Sequence, residues 1–291
     1  MTPTTAEFIP AFTITVAGVL GLAIGSFLNV VVHRVPAGRS LVSPPSTCPQ
    51  CGSQIRAYDN VPVLSWLALR GKCRDCGTSI SARYPLVELT TGAAFAAIAG
   101  WIFTGPAGAI ANASPGMLVH RILELVILLV FAGVSISLTL IDLDTHRLPN
   151  AIVGPAAIGL GGLVVVTSLV SGHPDAIWRS AAGGAALFAA YLLLAYVSRG
   201  GMGLGDVKLA GVIGIVLGYF GWPELVVGAF AAFLYGGVVA IVLLALGRAD
   251  RKTGVPFGPA MLLGAWTGLI VGTAVAGWYL SLSGVAVAGL P

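Results

Sequence analysis

Two stretches of this sequence put carboxylates where little else is charged: Leu140-Ile-Asp142-Leu-Asp144-Thr-His-Arg-Leu-Pro149-Asn150 and Gly201-Met-Gly203-Leu-Gly205-Asp206-Val-Lys208. Two carboxylates brought together cannot both ionise cheaply, so they share a proton. One then acts as general base on a water while its protonated partner polarises a scissile carbonyl. That is aspartic protease chemistry, and it requires neither a metal nor a covalent intermediate. Gly203 and Gly205 lack side chains, which leaves room for an extended substrate backbone beside Asp206. Lys208, two residues on, either anchors the helix end or tunes the pair. Asp142 and Asp144 stand about 200° apart on a helix, so only one of them can face Asp206. Asp142 follows Leu140 and Ile141 and is nearer the low-dielectric region, whereas Asp144 leads into Thr145, His146 and Arg147. Taken alone, each aspartate could equally cap a helix or balance Arg147, Arg199 and Lys208.

A second constellation holds all four cysteines, as Cys48-Pro-Gln-Cys51 and Cys73-Arg-Asp-Cys76, with 21 residues between the pairs. Gly52 and Gly77 follow the pairs and let the chain turn back so that its amides approach the sulfurs. Four thiolates close a tetrahedral shell around zinc and leave no position for water, which makes such a site structural. Two disulfides and a redox-active thiol pair are the competing readings. A segment of about 50 residues with few large apolar side chains needs a staple to fold.

The elements that must position these groups are membrane spans. Of 291 residues, 57% are hydrophobic and 9% charged, with a mean hydropathy of +0.95. A soluble domain carries about 25% charged residues. The expected fold is an all-α integral membrane protein of about eight transmembrane helices, at 11–32, 86–104, 118–141, 151–170, 179–197, 207–221, 224–246 and 258–281. The sixth is short, and Gly211, Gly214, Gly218 and Gly221 share one of its faces, where a neighbouring backbone can approach closely. Lys and Arg divide thirteen to two between alternate connections. The basic side is therefore cytoplasmic, both termini lie outside, and Asp142 and Asp206 share the cytoplasmic boundary. Cytoplasmic placement also disfavours disulfides. The net charge of +4 reports topology and gives no reason to expect nucleic acid. No basic stretch precedes the first apolar run, so no cleavable signal peptide is expected. Among the remaining acids, Glu224 suits the start of the seventh span and Glu124 lies one turn from Arg121. Glu88, at the cytoplasmic start of the second span, is either a cap or a site residue.

In order along the chain, these segments resemble the type IV prepilin peptidases, bifunctional leader peptidase/N-methyltransferases. The likeness begins with Gly25-Ser-Phe-Leu-Asn29-Val-Val and Arg34-Val-Pro36. It continues through the two cysteine pairs around Asn60-Val-Pro-Val-Leu-Ser-Trp66, then Arg83-Tyr-Pro-Leu-Val-Glu88. It ends with Asp142 and Leu148-Pro149-Asn150, Gly203-Leu-Gly205-Asp206-Val-Lys208, and Pro256-Phe-Gly-Pro259. The family has its catalytic aspartate seven residues before the proline of the Leu-Pro element, which again points to Asp142. Asn150 is a departure, since many members carry Asp there.

The resemblance implies cleavage of a short basic leader from prepilins or pseudopilins on the cytoplasmic face of the inner cell membrane. It further implies methylation of the new N-terminus by S-adenosylmethionine, although no donor site is visible in the residues themselves. It divides the chain into a first transmembrane helix (1–33), a cytoplasmic four-cysteine zinc-binding segment linked to methylation (34–84) and a transmembrane peptidase domain (85–291). A peptidase without methyl transfer, a proton-coupled transporter using the two aspartates as relays, and a degenerate scaffold are the alternatives. The transporter would call for matching halves with interrupted spans, and none is evident.

Overall fold

The structure, a computed structural model, describes residues 5–105, 114–198, 202–247 and 256–282. The elements are α1 (Thr5–Arg34), the short α2 (Leu64–Ala68), α3 (Arg83–Thr104), α4 (Pro115–Thr145), α5 (Asn150–Val170), α6 (Asp175–Val197), α7 (Leu204–Phe220), α8 (Trp222–Ala245) and α9 (Gly258–Leu282). Among the described residues there are no strands, only isolated bridges at Thr47–Gln54 and Lys72–Ser79. Seven of these helices are long and apolar enough to cross a membrane. They correspond to seven of the eight expected spans. The sixth expected span is the 17-residue α7, about 25 Å long at 1.5 Å per residue and short for a 30 Å hydrocarbon core. Its side chains are buried almost all round, from Val207 to Tyr219. A helix enclosed by other helices need not match the bilayer itself.

The chain forms two compact units, Met1–Ser137 and Leu138–Pro291. In the first, α1 and α3 cross at their glycines. A Cβ on Gly25 would stand 2.7 Å from Glu88 Cα, and one on Gly21 would stand 2.7 Å from Thr91 O. Side chains at these positions would force the helices apart. Asn29 Nδ2 also donates to Tyr84 O at 3.2 Å, tying the end of α1 to the start of α3.

In the second unit, α7 packs against α5, α6, α8 and α9. The expected glycine face is the contact with α6: a Cβ on Gly214 would meet Gly183 O, and one on Gly218 would lie 2.6 Å from Arg179 O. Gly221 serves differently, as the junction between α7 and α8. At this end Arg179 donates from Nε to Gly218 O at 2.8 Å and from Nη2 to Tyr219 O at 2.7 Å. It thereby satisfies carbonyls that a helix C-terminus leaves open. Glu224 is the third residue of α8, buried, and accepts from Thr273 Oγ1 on α9. That agrees with the structural part expected of it.

Candidate functional site

Helix α4 continues through Asp142 and ends at Thr145, where His146 takes a left-handed φ of 52° and donates its N–H to Asp142 O at 2.8 Å. The 200° between Asp142 and Asp144 then separates their environments. Asp142 is 4% exposed, whereas Asp144 lies on the exposed side. Asp206 occupies the first turn of α7, behind the N-cap Gly203, and is half-buried. Both carboxylates belong to the second unit, and Asp206 lies within electrostatic reach of Asp142.

A third helix end completes this cluster. Gly258, the first residue of α9, donates its backbone N–H to Asp142 Oδ2 at 3.0 Å. The first amides of a helix have no partner within it and carry the positive end of its dipole, so the start of α9 suits a carboxylate. A Cβ at 258 would stand 2.7 Å from that oxygen. Phe257 fixes the approach: its ring lies 5.7 Å from Phe233 and 6.3 Å from Tyr191, and it fills the space where Gly236 lacks a side chain. Tyr191, itself buried on α6, lies within electrostatic reach of Asp206. Nothing in the sequence alone marks Gly258, Phe257 or Tyr191 for a role. The Pro256–Pro259 element stands out only through the family resemblance.

The remaining candidates divide by face. A Cβ on Gly205 would lie 3.1 Å from Leu148 Cβ, so the bare side of Gly205 is covered by the Leu-Pro element, while Gly203 is exposed and faces Asp206. Lys208 stands about 200° from Asp206 around α7. Its Nζ donates to Asn150 Oδ1 at 2.9 Å. The contact joins α5 to α7. Lys208 and Asn150 border an apolar cavity of about 600 Å³ between α5, α6 and α7, on the opposite face of α7 from Asp206.

In the first unit, the four Sγ atoms of Cys48, Cys51, Cys73 and Cys76 lie within 4.8 Å of one another, all as free thiols. Each knuckle is a tight loop: Gly52 N–H donates to Cys48 O and Gly77 N–H to Cys73 O, with the glycines at φ of 72° and 71°. Hydrogen bonds from the Ser53 side chain and backbone pull the Cys51 thiol down to about 6, and the amides of Cys76 and Asp75 lower that of Cys73. Both effects favour thiolate, the form that binds metal, whereas burial and the neighbouring thiols push Cys76 up to about 12. Cys48 Sγ and Cys76 Sγ are 3.8 Å apart. A tetrahedron with metal–sulfur bonds of about 2.3 Å has edges of about 3.8 Å, so the thiols fit an ion of zinc's bond length. Outside the knuckles, Arg74 grips Asp59 in a forked pair and Arg56 meets Asp75 at 3.2 Å.

Residues 19–102 match the family model described as the bacterial peptidase A24 N-terminal domain, and residues 129–241 match that of the type IV leader peptidase family. The chain is 34% identical to a prepilin leader peptidase/N-methyltransferase of Stutzerimonas stutzeri, over 97% of this chain and 99% of that protein. It is 33% identical to one from Pseudomonas aeruginosa, covering 91% and 92% of the two chains. With one from Neisseria gonorrhoeae the identity is 35%, covering 88% and 89%. No solved structure matches the chain.

Proposed function

The chain belongs to the type IV leader peptidase family, and from that premise we propose that it cleaves the leader from prepilins or pseudopilins with Asp142 and Asp206 and then methylates the exposed amine. The observation that carries the first half is the meeting of three helix ends: the last turn of α4, the first turn of α7 and the first amide of α9. Gly258 N–H holds one Asp142 oxygen and favours its charged form, so Asp142 takes the proton of the attacking water. Asp206 carries the shared proton to the scissile carbonyl, which lowers the cost of the negative charge developing on its oxygen. The exposed Gly203 gives the substrate backbone a place beside Asp206.

The bias of thirteen basic residues to two supports an inner-membrane protein with this site on the cytoplasmic side and both termini outside. Cys48, Cys51, Cys73 and Cys76 would hold one structural zinc, which supplies cross-linking energy to residues 34–84 and no open coordination position. Residues 34–84 then serve methylation, with S-adenosylmethionine as donor, and residues 85–291 serve cleavage. The names of the relatives support the pairing of the two activities.

The deciding experiment supplies purified protein with a membrane-embedded prepilin. Asp206→Asn should end cleavage, yet still methylate a pre-cleaved substrate. A folded Asp206→Asn protein that cleaves normally removes the dyad.

A further inference from the structure

Three sequence elements belong to the first unit: Gly25–Asn29, Asn60–Trp66 and Arg83–Glu88. In the first unit they meet. Pro62, Val63 and Leu64 form a γ-turn, with Leu64 N–H donating to Pro62 O at 2.6 Å and Val63 held at φ 61°, ψ −49°. This handedness of γ-turn is rare, and it is strained for a β-branched residue. Such strain costs on the order of 1–3 kcal/mol and persists only where the surroundings impose it. Here Ser65 Oγ accepts from Val61 N–H at 3.0 Å and donates to Tyr58 O at 2.9 Å. From the other side the Val63 N–H is held by Glu88 Oε2 at 2.7 Å.

Glu88 is 8% exposed, and its Cα is the surface on which Gly25 rests. Four acidic side chains are described in this unit. Asp59 pairs with Arg74, Asp75 with Arg56, and Glu124 with His120 and Arg121. The contacts described for Glu88 consist of one backbone amide, on one oxygen. A buried carboxylate so placed is short of a cationic partner. A helix cap is also excluded, since the amide it binds is 25 residues away in the strained turn.

The geometry points to Glu88 as the group that binds the substrate's N-terminal ammonium for methylation, with the Val63 turn clamping its other oxygen in place. This rests on the reading of the chain as a methyltransferase. A new N-terminus produced at the cytoplasmic end of an apolar helix lies at the membrane boundary. Glu88 is the sixth residue of α3, counted from its cytoplasmic end. An α-amino group has a pKa near 8 and arrives mostly protonated. Glu88 accepts one proton from the ammonium and passes it to solvent. The amine lone pair forms the new N–C bond as the donor's C–S bond breaks, leaving the neutral thioether, and the product takes over the positive charge.

The test compares wild type and Glu88→Gln as full-length protein. Gln is nearly isosteric and still accepts the Val63 N–H, but it carries no charge. Methyl incorporation into a pre-cleaved pilin should fall by about 100-fold or more, the range of a lost general base. Cleavage of intact prepilin and zinc content should stay at the wild-type level. Binding of a peptide with a free N-terminal amine should weaken about tenfold, as for a lost charged hydrogen bond, while the N-acetylated peptide distinguishes the two proteins not at all. Methylation within about twofold of wild type overturns the assignment, as does equal loss of cleavage, methylation and zinc, which would make Glu88 purely structural. A wild type that methylates nothing would sink the methyltransferase reading. The amine-selective difference in peptide binding would then still decide for or against Glu88.

Discussion

Gly258 N–H and Asp142 Oδ2 are 3.0 Å apart, joined across 116 residues of sequence, and the same oxygen lies where a Cβ on residue 258 would have to go. Donor and steric limit therefore act on one atom. Gly258→Ala should push the carboxylate off its position without disturbing α9, where alanine is otherwise favourable. A displacement of about 1 Å in a catalytic group costs on the order of 10²-fold, so kcat should fall by about that factor with KM little changed. Steady-state kinetics on equal amounts of folded protein checks this. A variant with wild-type kcat would mean that the amide does not orient Asp142.

Within Asp-Leu-Asp, burial separates the two acids. Asp142→Asn should abolish cleavage and leave expression intact, because Asn fills the same space but cannot exchange the proton. Asp144→Asn should keep a substantial fraction of activity, since its side chain lies on the exposed side. Cleavage assays on both proteins, normalised to abundance, give the answer. The reverse ranking would transfer the role to Asp144.

Much of this was legible from residue types. Long apolar runs broken by basic connections mark the spans, and a carboxylate at the end of such a run stands out because so few charges surround it. The paired Cys-x-x-Cys spacing likewise brings four sulfurs together without knowledge of the rest of the fold. What periodicity cannot supply is which helix ends meet. The Gly258 amide has no side chain to announce it, and its partner is 116 residues distant. Nor does the sequence show that Leu148 lies against Gly205, a contact that depends on the approach of α5 to α7. The expected third span, 118–141, also stops short of its helix, since α4 runs Pro115–Thr145. Hydrogen bonding continues past the apolar run, and it is this extra turn that carries Asp142.

The cysteine cluster should bind one zinc per chain, measurable on purified protein by elemental analysis. Single Cys→Ser changes should lower abundance at least as much as specific activity, as a structural role for the ion requires. Ser53 lowers the Cys51 thiol without being a ligand. Ser53→Ala should reduce zinc affinity by about 10–100-fold, the usual effect of an outer-shell partner. Competition with a chelator reads this directly, and an unchanged affinity would show that Ser53 contributes nothing to the site.

The α6–α7 contact predicts a stability effect remote from chemistry. A Cβ on Gly214 would overlap the Gly183 carbonyl, and both partners are backbone, so neither can rotate away. Gly214→Val should destabilise by about 1–3 kcal/mol or more, as overpacking does in close-packed interiors. Lower abundance and a lower thermal midpoint in detergent should accompany it, and a midpoint equal to wild type would contradict this packing.

Lys208 offers a test that separates anchoring from tuning. Its ammonium meets Asn150 at 2.9 Å on the face of α7 about 200° from Asp206. If Lys208 anchors, its contribution depends on Asn150 and not on the dyad. Asn150→Asp would replace a hydrogen bond to a neutral oxygen by an ion pair. Both side chains are exposed, so the gain should be only about 0.2–1 kcal/mol and should shrink at high salt. Lys208→Met should cancel that gain, because the new carboxylate would then lack its partner, and the double-mutant cycle measures the coupling. Cleavage should retain its pH–rate profile in all three variants, because no charge facing the dyad changes. An acid limb that moves in Lys208→Met would show the ammonium acting on Asp206 through the helix. The anchoring assignment would then be wrong, even with the Asn150 contact intact.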